Sequence, residues 1–368
     1  MAAVLKHLHR SCRTWYRNVC CRLSTVPAVH PTTSDKELHV PVMAKEVIES
    51  LQPESGQVLI DMTFGAGGHS LKLLQSAPNI TLITLDRDPV AHDIAQNLAR
   101  GFPGQVVPLL GKFSEVPELL SAHGIEQNCV DGILFDLGCS SMQFDVAERG
   151  FSISKNGPLD MRMDGARGGD VPTAADVLAQ ADEEDLARIF KVYGEEKKAK
   201  KIARAVIEAR YTFKKLETTS ELSELVAAVC GGDHRLDKLQ RHSHAATKTF
   251  QALRIFVNNE VNELNYAMII AQAYLKPLGR LVTLTFHSLE DRIVKRHLSG
   301  NVSENAVNPL PLRYSNPSLC HDQETVSCLF ESCWQPVHKH VLTPSDDEVE
   351  ANPRSRSAKL RAAIKMKV

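Results

Sequence analysis

Five short apolar runs along the chain have the pattern of buried β-strands, and three of them end in an aspartate. Segments with apolar residues at helical spacing lie between these runs. Strands that alternate with amphipathic helices predict an α/β fold around a parallel sheet. The apolar positions of residues 246–275 repeat at helical spacing and predict one long helix. The predicted strands are residues 59–61, 81–86, 106–111, 130–136 and 280–286.

Three glycines follow the first predicted strand within four positions. Gly65, Gly67 and Gly68 stand between that strand and a segment with helical periodicity. Glycine leaves a bare backbone that a ligand can approach closely, and the first turn of a helix adds N–H groups and partial positive charge. The turn therefore predicts a site for a nucleotide-like ligand. The alternative is a strand–helix turn that binds nothing.

The ends of the other strands supply candidate ligand contacts. Asp86 lies about twenty residues past the glycines, the spacing of a carboxylate that accepts hydrogen bonds from ribose hydroxyls. Dinucleotides and S-adenosylmethionine both use this arrangement, but Ser70 replaces the third glycine of the dinucleotide fingerprint, which favours the methyl donor over a dehydrogenase cofactor. Phe113 follows the third strand, where its ring either covers an adenine or joins the core. Asp61 and Asp136 are expected to gather with Asp86 at the carboxyl edge of the sheet.

The fourth predicted strand continues as Asp136-Leu137-Gly138-Cys139. Methyltransferases that act on amino groups commonly place an acid-Pro-Pro-aromatic tetrad at this point, and this chain retains only the acid. Asp136, or a carbonyl in the loop after it, is therefore the candidate acceptor for a hydrogen of the target amino group. Because the aromatic residue is missing, another side chain must stack on the target base. Phe151 and the Met-Arg-Met segment 161–163 are the candidates.

Residues 144–247 show no strand pattern and predict a helical insertion in the α/β domain. Thr173, Asp182 and Thr218 each precede a helical segment as predicted N-caps, and Thr218 forms a capping box with Glu221. A cluster of basic residues in the insertion predicts a contact with an RNA backbone, the alternative being a solvated helix face. The cluster consists of Lys197, Lys198, Lys200, Lys201, Arg204, Arg210, Lys214 and Lys215. The predicted domains are residues 1–34, 35–143, 144–247 and 248–368, with 299–331 as a flexible loop.

Residues 1–34 contain several basic residues and no acid. Such a segment is typical of a mitochondrial transit peptide, with a disordered basic tail as the alternative. The formal net charge of the 368 residues is -1, so any basic surface must be local. No apolar run reaches the roughly 20 residues that span a bilayer. The nine cysteines match no common zinc spacing and are interpreted as reduced thiols, so no metal is expected.

These stretches together resemble the bacterial small-subunit rRNA (cytosine-N4)-methyltransferases of the RsmH/MraW type, and more closely their mitochondrial counterpart among the methyltransferase-like proteins. The resemblance implies a class I (Rossmann-like) methyltransferase sheet with an inserted all-helical substrate domain that binds RNA. It covers roughly residues 39–366. The matching motifs are residues 61–70, 86–89, 136–141, 148–152, 157–164, 193–196, 249–255, 286–295 and 352–354.

The resemblance also implies an activity, namely methyl transfer from S-adenosylmethionine to N4 of a cytidine in the decoding region of mitochondrial small-subunit rRNA. Such an enzyme works in the mitochondrial matrix and supports ribosome assembly and mitochondrial translation. Its expected partners are small-subunit rRNA or the assembling mitochondrial small ribosomal subunit, with an assembly-factor protein as a further candidate and no membrane. The matching cofactor-binding positions are Gly67, Gly68, His69, Asp86, Phe113, Asp136 and Gln143, and Asp136 is also the catalytic candidate.

Two alternatives remain open at the level of the sequence. One is a non-catalytic mitochondrial ribosome-assembly factor, which would keep the basic helices without needing an intact cofactor pocket. The other is an amino methyltransferase that acts on another nucleic acid.

Overall fold

A computed structural model describes residues 41–169, 171–212, 215–232, 234–236, 242–300 and 332–366. These residues form two compact units. The first comprises the described residues up to Gly138 and from Glu263 onward, and the second comprises those from Cys139 to Asn262. The transit peptide expected in residues 1–34, and most of the flexible loop expected in 299–331, fall outside the described residues.

The first unit is built on a seven-stranded sheet. In chain order the described strands are β1 Val58–Asp61, β2 Thr81–Asp86, β3 Val106–Leu110, β4 Val130–Asp136, β5 His234–Leu236, β6 His242–His244, β7 Leu275–Thr285, β8 Trp334–Pro336 and β9 Lys359–Lys365. The sheet has the order β3-β2-β1-β4-β7-β9-β8. Its first five strands run parallel, and β9 and β8 are added antiparallel. The predicted α/β fold is confirmed, because all five predicted strands lie in this sheet.

The helices alternate with these strands in the first unit and dominate the second. In chain order they are α1 Ala44–Leu51, α2 Gly68–Ser76, α3 Pro89–Gly101, α4 Val116–Ala122, α5 Ser141–Asp145, α6 Ala174–Gln180, α7 Glu183–Val192, α8 Ala199–Tyr211, α9 Thr219–Cys230, α10 Thr247–Val257, α11 Glu260–Tyr274, α12 Ser288–Leu298 and α13 Asp346–Ala351. Side chains of Thr173, Asp182 and Thr218 accept backbone hydrogen bonds at the starts of α6, α7 and α9, so the three predicted caps are present. Within the described ranges, no helix combines the length and apolar character needed to cross a membrane.

The second unit has its own apolar core. Phe190, Ile202 and Leu222 lie buried in it, and α10 contributes Phe250 and Leu253. This unit therefore extends beyond the predicted insertion of residues 144–247. The expectation that it is all-helical is wrong, because β5 and β6 pair as an antiparallel hairpin. Each of these strands has only three residues, too few to show an alternating pattern in the sequence.

The single helix predicted for residues 246–275 is also wrong, since α10 ends at Val257 and α11 starts at Glu260. Asn259 between them is left-handed, with φ 53°, a conformation that asparagine tolerates better than most residues. The buried amide of Asn258 donates to the Met161 carbonyl over 2.7 Å and accepts from the Met163 N–H over 2.7 Å. The asparagine thus holds the 161–163 loop at the point where the helix stops.

Candidate active site

The loop after β1 is hydrogen-bonded to the strands on both sides of it. The Met62 N–H donates to the Leu134 carbonyl on β4 over 2.9 Å, and the Phe64 N–H donates to the Leu85 carbonyl on β2 over 3.0 Å. At Gly67 φ is 80°, and a Cβ there would lie 2.7 Å from Cζ of Phe64. Any larger residue would therefore be strained and would press on the Phe64 ring. The backbone conformation and the contact with Phe64 therefore both require glycine at this position, which is the N-cap of α2.

Ser70 stabilises this loop through Asp61. Both side chains are almost fully buried, and the Ser70 hydroxyl donates to Oδ2 of Asp61 over 2.7 Å. The Thr63 N–H donates to the other carboxyl oxygen, Oδ1, over 3.1 Å. Burial raises the pKa of Asp61, and the Ser70 hydroxyl partly offsets that effect. Asp61 therefore links α2 to the loop after β1. The link to α2 is the hydrogen bond from Ser70, the residue that departs from the dinucleotide fingerprint.

Asp86 joins two loops at the end of β2. Its Oδ2 accepts from the Gly65 N–H over 2.7 Å, and its Oδ1 accepts from the Asp88 N–H over 2.9 Å. Burial raises the pKa of Asp86 to about 6 despite these hydrogen bonds. Each carboxylate oxygen has a second lone pair, so the group can still accept from two ribose hydroxyls.

Phe113 opens a short 3-10 turn, Phe113–Glu115, just after β3. Its ring is half-buried and meets the Phe135 ring edge-on, with centroids 5.7 Å apart and planes at 89°. The turn is fixed by Glu263, whose carboxylate accepts from both the N–H and the hydroxyl of Ser114 over 3.0 Å each. Sequence reasoning missed Glu263, a buried acid in the first turn of α11. Nothing local in the sequence marks it, because its partner lies 149 residues away.

Asp136 and His69 face each other at the end of β4 and the start of α2. The Asp136 N–H donates to the Thr63 hydroxyl oxygen over 2.6 Å, which fixes the end of β4. Nε2 of His69 lies 3.5 Å from Oδ2 of Asp136, an ion-pair contact rather than a hydrogen bond. Burial lowers the pKa of His69, but the carboxylates of Asp136 and Asp61 outweigh burial and raise it. The other carboxyl oxygen of Asp136, Oδ1, is buried and has no hydrogen-bond partner among the described residues.

Six of the seven predicted site residues therefore lie in the first unit, at the carboxyl ends of β1 to β4 or on the turns that follow them. The seventh, Gln143, belongs to the second unit. Its Oε1 accepts from the Ser140 N–H over 3.2 Å and from the Cys139 thiol over 3.0 Å, closing a capping box on α5. A cofactor contact by Gln143 stays a prediction.

The candidates for stacking on the target base are buried in the core of the second unit. Phe151, Met161 and Met163 are 4%, 1% and 6% exposed. Arg162, between the two methionines, makes hydrogen bonds from Nε and Nη2 to the two carboxyl oxygens of Asp160. The three apolar side chains pack the interior, so the hypothesis that they stack on a base is wrong.

The predicted basic cluster divides into structural and exposed members. Arg210 donates to the Leu178 and Ala181 carbonyls, and Lys198 donates to the Cys230 carbonyl. These two side chains donate to carbonyl groups that the ends of helices leave without partners, so they do more than form a solvated face. Arg204 approaches Glu183 to 3.5 Å, and Lys214 lies outside the described residues. The exposed members that remain are Lys197, Lys200, Lys201 and Lys215.

The first unit suits S-adenosylmethionine in three respects. The turn at Gly67 keeps the loop free of a side chain, Asp86 supplies ribose acceptors, and Phe113 offers a partly exposed ring for an adenine. The buried Oδ1 of Asp136 adds an acceptor that has no partner among the described residues. A sheet in this order, with five parallel strands, two antiparallel strands at one edge and the predicted ligand contacts at the carboxyl ends of the parallel strands, defines the class of protein: a class I methyltransferase.

Comparison with known proteins identifies the family. The family model described as "MraW methylase family" matches residues 36–366, and the chain belongs to this family. Family membership confirms the predicted resemblance and the predicted use of S-adenosylmethionine as methyl donor.

Individual relatives extend this finding. The chain is 52% identical over 339 residues to the mouse protein named 12S rRNA N(4)-cytidine methyltransferase METTL15. The match covers 90% of this chain and 83% of that protein. The chain is 45% identical over 327 residues to the Ribosomal RNA small subunit methyltransferase H of Maricaulis maris, spanning 89% of this chain and 91% of that protein. A Culex quinquefasciatus protein named putative receptor-type tyrosine-protein phosphatase mosPTP-1 is 62% identical over 328 residues; the match covers 89% of this chain and only 22% of that protein.

Proposed function

We propose that this chain transfers the methyl group of S-adenosylmethionine to N4 of a cytidine in the decoding region of mitochondrial small-subunit rRNA, and that it does so in the mitochondrial matrix. The names of the mouse and bacterial relatives support the rRNA substrate. The observation that carries the chemistry is the buried Oδ1 of Asp136, which has no partner among the described residues at the edge where the other predicted contacts lie.

The reaction is a displacement in which the cytidine nitrogen attacks the methyl carbon and a sulfonium leaves as a neutral thioether. The lone pair of the cytosine amine is delocalised into the ring, so the amine is a weak nucleophile. Asp136 Oδ1 accepts one N4 hydrogen, which helps localise that lone pair on nitrogen, and it receives the proton when the C–N bond has formed. Nε2 of His69 lies 3.5 Å from Oδ2 and orients the carboxylate for this purpose.

Rigid placement supplies the rest of the rate enhancement. In well-oriented systems, holding the reacting groups in line contributes up to about 7–11 kcal/mol. The loop after β1 is suited to this task, because Met62, Phe64 and Asp61 fix it to β4, β2 and α2. The target base must also leave its stack to reach the methyl group.

The test is mass spectrometry of nucleosides from mitochondrial small-subunit rRNA of cells with and without this protein. N4-methylcytidine should disappear without the protein and return with the wild-type chain. Asp136→Asn should not restore it, because the amide cannot take up the proton, and turnover in vitro should fall by about 10²-fold or more. Asp93→Asn, an exposed acid on α3, is the control and should restore the modification fully. Normal turnover and cofactor affinity in Asp136→Asn would exclude the catalytic role.

The second unit is proposed to hold the RNA backbone through its exposed lysines. Lys197, Lys200 and Lys201 are exposed and form no ion pair with any described residue. Replacing one of them with glutamine should weaken RNA binding and reduce the slope of log K against log salt by about 0.7–0.9. Lys198→Gln would change the slope less, since that ammonium already donates to the Cys230 carbonyl.

A further inference from the structure

An aromatic pair lies at the surface of the second unit, where Tyr193 follows the end of α7 and Phe256 stands in the last turn of α10. The two ring centroids are 6.3 Å apart and the ring planes are tilted by 41°. Phe256 is 41% exposed, Val192 beside Tyr193 is 51% exposed, and Tyr193 itself is half-buried. By contrast, Phe151, Phe190 and Phe250 of the same unit are in the core. Phe256 is therefore exposed at the surface, whereas Tyr193 is half-buried and packs against the core.

The turn that carries Tyr193 is held rigidly. A Cβ on Gly194 would lie 2.4 Å from the Lys248 carbonyl oxygen, so the turn and α10 touch backbone to backbone. Glu195 is left-handed with φ 49°, and its carbonyl accepts from the Lys248 ammonium over 3.1 Å. Glu196 is buried and accepts from the Lys198 N–H over 2.9 Å. Strained backbone persists only where its surroundings fix it, and such strain clusters at functional sites.

Two lysines lie close to Tyr193 in the sequence. Lys191 lies two residues before Tyr193 in the last turn of α7, and Lys197 follows the same turn. Both ammonium groups are exposed, and neither pairs with a carboxylate among the described residues. A rigid exposed ring with cations beside it is the combination with which proteins bind single-stranded nucleic acid: the ring stacks on a base and the cations meet the phosphates.

We infer that Tyr193 and Phe256 form a stacking platform for an unpaired base of the RNA substrate, with Lys191 and Lys197 contacting the adjacent phosphates. This inference rests on the proposed function, because it takes RNA as the substrate. It gives a role to the 193–196 motif, Tyr-Gly-Glu-Glu, which contains none of the predicted cofactor-binding residues. Because every base presents a π face, the platform should bind unpaired RNA with little preference for sequence.

The test uses the full chain and an unstructured RNA oligonucleotide that contains 2-aminopurine, whose fluorescence is quenched when it stacks on an aromatic ring. Phe256→Leu should weaken binding by about 5- to 150-fold, the range for losing one base–aromatic stack, and should reduce the quenching, because only the Tyr193 ring remains. The salt dependence should not change, because no phosphate contact is lost. Lys191→Gln should do the opposite, lowering the salt slope while leaving the quenching intact.

Tyr211→Leu is the matched control, since Tyr211 is an 80% exposed aromatic residue in the same unit, at the end of α8. It should bind the oligonucleotide as the wild type does. Wild-type affinity and quenching in Phe256→Leu would overturn the platform even if the enzyme methylates rRNA. If Phe256→Leu loses oligonucleotide binding but the wild-type chain does not methylate rRNA, the platform is retained and the proposed function is rejected. Unchanged S-adenosylmethionine affinity and an unchanged unfolding midpoint exclude a merely structural effect, and loss of either would count against the inference.

Discussion

Ser70→Ala tests whether the loop after β1 depends on the link between Ser70 and Asp61. The change removes the hydroxyl that donates to Oδ2 of Asp61 over 2.7 Å, in a place where both side chains are buried. Hydrogen bonds to charged groups contribute about 1.5–3 kcal/mol, and a buried acceptor left without its donor costs a similar amount. We therefore expect the free energy of unfolding to fall by about 1.5–3 kcal/mol. The affinity for S-adenosylmethionine should also fall, because Asp61 fixes Thr63 and the loop that follows.

The pH dependence of this loss identifies its cause. Burial raises the pKa of Asp61 and the Ser70 hydroxyl lowers it, so the variant should have a higher pKa still. A raised carboxyl pKa in the folded state means that ionisation opposes folding. The loss of stability should therefore be largest at high pH, where Asp61 is ionised, and should shrink as falling pH protonates it.

Urea unfolding of the wild type and the variant over a range of pH is the assay. Ser76→Ala is the control, because Ser76 is in the same helix but its exposed hydroxyl donates only to the Leu73 carbonyl. Its effect should stay within about 0.5 kcal/mol. An equally small effect of Ser70→Ala at high pH, or a loss that does not vary with pH, would refute the reasoning.

Three further predictions follow from single positions. Burial, aided by Arg296, lowers the pKa of His297 to about 4. The free energy of unfolding should therefore drop by up to about 3 kcal/mol as pH falls from 6.5, the pKa of histidine in the unfolded chain, to about 4. Unfolding of His297→Gln should lack this pH dependence. Burial raises the pKa of Asp86 to about 6, so calorimetry should find the affinity for S-adenosylmethionine about tenfold lower one pH unit below that value than at neutral pH. Asp86→Asn should abolish this difference. If the difference persists in Asp86→Asn, the role of Asp86 in accepting ribose hydroxyls is excluded. Gly67→Ala should destabilise the chain by about 1 kcal/mol or more, because φ is 80° and the methyl group meets Phe64, whereas Gly101→Ala, with nothing within 4 Å, should be neutral or stabilising in thermal unfolding.

The sequence determined those features that depend on neighbours a few residues apart. Threonine and aspartate before a helical segment specify a cap, and Thr173, Asp182 and Thr218 all form one. The glycines after β1 specify a left-handed turn, and Gly67 adopts it. Apolar runs that end in an aspartate specified β1, β2 and β4, so the sequence also placed three carboxyl groups at one edge of the sheet. Several motifs in a fixed order specified the family.

The tertiary structure decided what each of those groups does. Asp61, Asp86 and Asp136 look alike in the sequence, yet Asp61 ties a loop to a helix, Asp86 joins two loops, and Asp136 keeps one buried oxygen without a described partner. Their roles differ because their partners come from other elements of the fold, as with Glu263, whose partner is 149 residues away. Met161 is in the core for the same reason: Asn258, 97 residues further along, binds its carbonyl. A local pattern sets where a side chain stands on its own strand or helix, but the fold alone brings in the groups it will meet.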